Sequence, residues 1–118
     1  MGYDFNNETP IYIQIIELIK QQIINKKYLP NTKLPSVREL SLLYEVNPNT
    51  IQKALAELEE LGLIYTERTN GKFVTNDEKV IDKITKQTVR KKIEEFYQSM
   101  QALGFDKKQV LEMLNNKE

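Results

Sequence analysis

The stretch that decides the fold runs Leu34-Pro-Ser-Val-Arg-Glu-Leu-Ser-Leu-Leu-Tyr-Glu-Val-Asn-Pro-Asn-Thr-Ile-Gln-Lys-Ala-Leu55. It reads as two short helices joined by a tight turn. Ser36 is placed to cap the first, and Glu39 three residues on completes a capping box. Val37, Leu40 and Leu43 then recur at helical spacing. Asn47 caps the second helix, Pro48 suits its first position, and Ile51, Ala54, Leu55 and Leu58 form its buried stripe. Only Glu45 and a neighbour or two lie between the two periodic runs, which leaves room for the turn of a helix-turn-helix. Asn47, Asn49, Thr50, Gln52 and Lys53 crowd the start of the second helix, polar and mostly uncharged. Side chains of this kind read base edges and hold phosphates in a major groove. The stretch therefore predicts a DNA-binding unit.

Working outward, Thr9-Pro10 reads as the opening of a first helix, whose apolar face is Tyr12, Ile15, Ile16, Ile19 and Ile23. Met1 to Glu8 reads as an arm, and Asn25 to Lys33 as a loop turning at Pro30-Asn31. Lys26, Lys27 and Lys33 cluster there, as phosphate contacts or as a solvated basic loop. Beyond the second motif helix Gly62 is placed as a left-handed stop. Leu63–Thr66 and Phe73–Thr75 read as two short strands, with Asn70-Gly71 supplying the positive φ angles of a tight hairpin. Helix, helix-turn-helix and hairpin in that order make a winged helix over residues 9–76. Arg68, Asn70, Gly71 and Lys72 lie on the wing.

From Asp77 the pattern changes to one long helix ending at Gly104, then a short helix capped by Asp106. Val80, Ile81, Ile84, Val89, Ile93, Phe96, Met100 and Leu103 give the long helix an apolar side. Val110, Leu111, Met113 and Leu114 do the same for the short one. Two helices cannot hide that much apolar face against each other, so residues 77–118 predict a helical dimerisation arm. Its contacts are expected at Val89, Ile93, Phe96, Met100, Leu103, Val110, Leu111 and Leu114, with packing within one chain as the alternative. The fold class is thus mainly α with a small β-hairpin.

Composition narrows the function further. The 118 residues contain no cysteine and no histidine, which removes disulfides, thiolate metal sites and most nucleophilic or general-base arrangements. Four glycines form no phosphate loop. No apolar run approaches a membrane span and no signal-peptide pattern opens the chain, so the expectation is a cytoplasmic, non-enzymatic protein without cofactor or metal. Basic and acidic residues balance at 17 each, and the division holds at both ends: residues 1–76 carry 8 basic and 9 acidic side chains, residues 77–118 carry 9 and 8. A DNA binder with so few cations should neutralise few phosphates and show a shallow salt dependence. Arg38 has a competing use as an ion-pair partner of a nearby carboxylate, Lys53 as a partner of Glu57 one turn on, and Asn49 and Thr50 as ordinary first-turn residues. Tyr12, Tyr44, Tyr65, Phe73 and Phe96 lie on apolar faces and are expected in the core.

Several motifs in order also resemble the GntR family of bacterial transcription regulators. They are Pro10-Ile-Tyr-Ile-Gln-Ile, Leu34-Pro-Ser-Val-Arg-Glu-Leu, Val46-Asn-Pro-Asn-Thr-Ile-Gln-Lys-Ala, Leu58-Glu-Glu-Leu-Gly-Leu-Ile and Gly71-Lys-Phe-Val. The two-helix tail resembles the YtrA subfamily, whose members dimerise through such helices and often repress operons for ABC transporters. The resemblance implies DNA contacts at Ser36, Arg38, Asn49, Thr50 and Lys53, with Asn47 at the start of the helix and Gly71 as the wing glycine. It implies a homodimer on a palindromic stretch of double-stranded operator DNA. The family usually has glycine where Lys27, Asn31, Glu45 and Thr69 stand here. Asn31 tolerates the left-handed conformation, whereas Thr69 does not take it readily, which leaves the shape of the wing tip open. Two rival readings are a protein-binding winged helix with no DNA target, and an effector-sensing regulator holding a small molecule between arm and DNA-binding domain.

Overall fold

The computed structural model describes residues Phe5 to Asn116; Met1 to Asp4, including the Tyr3 of the expected arm, lie outside the described residues, as do Lys117 and Glu118. The order is α1 (Ile11–Ile24), α2 (Val37–Tyr44), α3 (Pro48–Glu60), β1 (Ile64–Glu67), β2 (Gly71–Val74), α4 (Glu78–Ala102) and α5 (Lys107–Asn115). Contacts group the chain into two compact units, the first ending at Asp82 and the second beginning at Lys83. The first turn of α4 thus packs with the first unit: Ile81 is buried, and Val80 lies against Gly62.

In the first unit α1 packs chiefly on α3 and α2 joins them. The core is the predicted one in most positions: Ile15, Ile19 and Ile23 from α1, Leu40 from α2, and Ile51, Ala54, Leu55 and Leu58 from α3 are buried. Each fully buried Ile or Leu contributes about 1.5–3 kcal/mol of hydrophobic stabilisation. Leu43 is a correction. It is 45% exposed, and Tyr44 takes the inward position at 2%. The i, i+4 step from Leu40 to Tyr44 keeps the inward residue on one face of this eight-residue helix. Thr9 is a second correction, since Pro10 occupies the cap of α1 without a side-chain cap bond. Gln14 Nε2 instead donates to the Thr9 and Asn6 carbonyls at 2.7 and 3.0 Å.

The capping box at Ser36 forms as predicted, with the hydroxyl accepting from Glu39 N–H at 3.0 Å and Glu39 Oε1 accepting from Ser36 N–H at 2.8 Å. That backbone donor, followed by the hydroxyl, holds the Glu39 carboxyl below the ordinary carboxylate range, and the charge of Lys33 adds to the effect. The turn between α2 and α3 is closed by Ser41, whose hydroxyl donates to the Val46 carbonyl. Glu45 stands left-handed at φ 57°, a conformation that glycine takes at less cost. Lys26 and Asn31 do the same at 68° and 63°, so the first of these turns uses Lys26 and not Lys27. A non-glycine residue in that region costs roughly 1–2 kcal/mol.

The strands pair antiparallel with Ile64 opposite Val74 and Glu67 opposite Gly71. The hairpin differs from the two-residue turn expected at Asn70-Gly71. Asn70 N–H donates to the Glu67 carbonyl at 3.1 Å, and Gly71 alone has positive φ, at 102°. A three-residue loop, Arg68–Asn70, followed by one left-handed position explains both facts. Thr69 thereby stays out of the region that its β-branch disfavours. The segment read as a loop before α2 also adds a short third rail. Lys33 bridges Phe73, and Leu34 N–H donates to the Lys72 carbonyl at 2.8 Å.

The second unit consists of the rest of α4 and α5. Gly104, at φ 94°, ends the turn after α4, and Asp106 caps α5 with Gln109 in a second capping box. Lys107 Nζ lies 5.3 Å from the centre of the Tyr97 ring, which ties α5 back to α4. Val110 is buried at 1% exposure. It is therefore occupied within its own chain, unlike the other residues expected to meet a partner. Phe96, expected in the core, is exposed, on the same helix side as Val89 and Ile93.

Candidate nucleic-acid interface

The second motif helix owes its start to Asn47. Its side-chain oxygen accepts from Asn49 N–H at 2.8 Å, its carbonyl accepts from Thr50 N–H at 2.9 Å, and Pro48 at the first position has no N–H to satisfy. The Asn47 side chain is thus committed to the cap. With Ile51, Ala54, Leu55 and Leu58 turned into the core, the 3.6-residue repeat drives Asn49, Gln52 and Lys53 to the opposite face. All three are exposed there, and Thr50 is half-buried at its edge. Ala56 continues that face with a side chain too small to obstruct an approach. Glu57 and Glu60 stand farther along α3, beyond the amide-rich end.

Lys53 does not pair with Glu57. Its ammonium sits 4.0 Å from the centre of the Tyr12 ring on α1, a cation–π contact that periodicity alone does not reveal, because Tyr12 is 41 residues earlier in the chain. Ser36 and Arg38, at the start of α2, are exposed. Among the described residues no carboxylate lies within ion-pair distance of Arg38, so the competing ion pair does not form there. Arg68, Asn70 and Gly71 are exposed at the wing tip.

Lys72 is placed differently from the other wing residues. Its ammonium lies 2.8 Å from Glu59 Oε1 and donates to Thr66 Oγ1 at 2.7 Å. The Thr66 hydroxyl in turn reaches Glu59 at 2.9 Å. Glu59 and Thr66 are residues the sequence reading did not connect with the site. The hairpin register would have put Thr66 opposite Lys72, but nothing in the sequence aims the last turn of α3 at that pair. The Lys72 ammonium, then the Thr66 hydroxyl, keep the Glu59 carboxyl below the ordinary range. Among the described residues there is no group of acidic side chains that could hold a metal, and no helix is long and apolar enough to cross a membrane.

This arrangement is matched in known proteins. Residues 11–74 fit the family model described as bacterial regulatory proteins, gntR family. The chain is 38% identical over 112 residues to YhcF of Bacillus subtilis, an uncharacterized HTH-type transcriptional regulator, covering 95% of this chain and 93% of that one. It is 43% identical over 76 residues to the B. subtilis transcriptional repressor YtrA, a match that spans 64% of this chain and 58% of YtrA. Among solved structures, a GntR family transcriptional regulator from Listeria monocytogenes superposes with a TM-score of 0.87 at 39% identity, covering 97% of this chain and all of that one. The DNA-binding domain of AraR, in complex with operator ORR3, superposes at 0.56 with 36% identity over 64% of this chain and 88% of that one. The exposed polar end of α3 and the hairpin after it therefore sit within a shared framework: this chain belongs to the gntR family of bacterial regulatory proteins.

Proposed function

We propose that the chain is a sequence-specific, DNA-binding transcriptional repressor that acts as a cytoplasmic homodimer on a palindromic operator. The observation that carries this reading is the face of α3 formed by Asn49, Gln52 and Lys53, left open to solvent beside a capped helix start. Asn and Gln amides match the donor–acceptor edge of adenine, and Lys matches guanine or phosphate. Ser36 and Arg38 add contacts from α2, and Arg68, Asn70 and Gly71 from the wing. The operator complex of AraR supports a duplex as the partner. The arm supports the dimer: Val89, Ile93, Phe96, Leu103, Leu111 and Leu114 are exposed with Met100 half-buried beside them, and a second copy covers such a face most simply. The same short arm favours the YtrA subfamily, with transporter operons as the target type. Repression then follows from occlusion of polymerase by the bound dimer.

The test is footprinting on the DNA upstream of the chain's own gene, followed by a gel shift with unrelated duplex as competitor. Two protected half-sites about one helical turn apart, resistant to the competitor, are expected. With Arg38, Lys53 and Arg68 from each of two copies on phosphates, the slope of log K against log salt is about −5. Binding that unrelated DNA abolishes at equal concentration would sink the reading and leave a protein partner for the same surface.

A further inference from the structure

Lys72 is a wing cation whose ammonium is already engaged, and the ring it closes draws on three elements: α3, β1 and its own strand β2. On the hairpin, Ile64 and Val74 face each other and are buried in the core. Two residues toward the tip on the same face, Thr66 stands opposite Lys72, where the apolar support has run out. Glu59, in the last turn of α3, meets both: the carboxylate lies 2.8 Å from Lys72 Nζ and accepts from the Thr66 hydroxyl at 2.9 and 3.0 Å. Lys72 closes the ring by donating to Thr66 at 2.7 Å. Only Glu67 and Gly71 separate this ring from the loop Arg68–Asn70. We propose that Glu59, Thr66 and Lys72 form a clamp that fixes the angle of the wing to the recognition helix, so that Lys72 is a positioning residue and not a phosphate contact.

The lever arm makes the angle matter. From Ile64 to Arg68 the chain runs about 13 Å at 3.3–3.4 Å per residue, so a swing of roughly 10° moves Arg68 by about 2 Å. That displacement exceeds the tolerance of a hydrogen bond to a fixed phosphate. The clamp joins α3 directly to both strands, so the helix that enters the groove carries the wing with it. This inference rests on DNA binding as proposed above, but the clamp itself is testable without DNA.

The variants are Glu59→Ala, which raises helix propensity, and Lys72→Met, which keeps the apolar stem. In the free full-length protein, backbone order parameters at Arg68–Gly71 are expected to fall in both; unchanged values would overturn the clamp. On operator duplex, through-space electrostatics alone makes Glu59→Ala bind more tightly, because an acid near the phosphates is gone. The clamp requires the opposite sign, a loss of about two- to fivefold. The double variant should bind no worse than either single one, since each breaks the same ring. Arg68→Ala should weaken wild type but cost little in the Glu59→Ala background. Lys72→Met should leave the salt slope unchanged, whereas a slope reduced by about 0.9 per copy would put Lys72 on a phosphate and refute its positioning role. Tighter binding by Glu59→Ala, or an undiminished cost of Arg68→Ala, would refute it too.

Discussion

The contact between Lys53 and Tyr12 yields a prediction whose size the structure sets. A lysine on an exposed helix face must give up rotamer freedom, worth up to about 2 kcal/mol, before it can hold a phosphate in one geometry. Here the ammonium is 4.0 Å from the Tyr12 ring centre, and an exposed cation–π contact contributes about 0.5–1 kcal/mol. The ring covers one side of the ammonium and leaves its other hydrogens free to donate. Tyr12 thus restrains Lys53 before the duplex arrives. Tyr12→Leu keeps the half-buried apolar body and removes the ring, so operator affinity should fall about two- to fivefold, by the same free energy expressed as a ratio. The salt slope should not change, because the cation remains. Lys53→Met should flatten the slope by about 0.9 per copy, and in that background Tyr12→Leu should cost nothing further. Fluorescence anisotropy on a selected operator duplex at four or five salt concentrations measures all three quantities, with thermal melts to confirm folding and Tyr12→Phe as the retained-ring control. Tighter binding by Tyr12→Leu would mean that the ring competes with DNA for the cation. An unchanged slope in Lys53→Met would take Lys53 off the phosphates. Either result refutes the reasoning.

Other predictions follow from local geometry. Asn47→Ala removes the acceptor for Asn49 N–H and should cost about 1 kcal/mol, a drop of about 4–8 °C in the melting temperature of a unit this size. Gly71→Ala forces a side chain to φ 102° with its Cβ 3.2 Å from Lys33 Cε, and denaturant titration should show about 1–3 kcal/mol lost. The depressed carboxyl of Glu39 stabilises the fold above the ordinary glutamate value of about 4.3. That contribution disappears as pH falls through the lower folded value, so urea midpoints should be level from neutral pH down to about 5 and then decline, less steeply in Glu39→Gln. Phe96→Asp puts a charge on the exposed arm face, and sedimentation equilibrium is expected to find a dimer for the parent chain and a monomer for the variant.

Much of the fold was legible because it depends on short-range signals. Ser36 with Glu39, Asn47 with Pro48, Gly62, Gly104 and Asp106 each act within one turn of the backbone, and each is found where the residue types require it. The face of α3 was legible for a similar reason: once Ile51, Ala54, Leu55 and Leu58 turn inward, helical period alone sends Asn49, Gln52 and Lys53 outward. Positions that failed depend on something farther away. Whether Leu43 or Tyr44 points inward is a matter of one residue of rotation, decided by what α2 packs on. The wing turn was misread because Asn70-Gly71 suits a two-residue hairpin, and only the register Glu67 to Gly71 reveals the longer loop. Tyr12 beneath Lys53, and Glu59 beside Lys72, join side chains that no local pattern links. Phe96 reads both as core and as a partner contact and is exposed, while Val110 reads as a partner contact and is buried, because amphipathic spacing marks a face as apolar without naming what covers it.

The zero net charge acquires a physical meaning once the cations are placed. In residues 1–76, Lys20 pairs with Glu17, Lys26 with Glu78 and Lys72 with Glu59, so three of the eight basic side chains counted there are neutralised within the chain. Arg38, Lys53 and Arg68 are the cations on the surface proposed to meet DNA, and Asn49 and Gln52 bring no charge at all. A surface of that kind draws little on counterion release, the term that holds proteins to any duplex regardless of sequence. On that reading its affinity must come in larger part from amide contacts with base edges, each worth about 1–3 kcal/mol of discrimination against the wrong base. Raising salt should accordingly change the ratio of specific to non-specific affinity less than in a strongly basic binder, since both modes share the same small number of phosphate contacts.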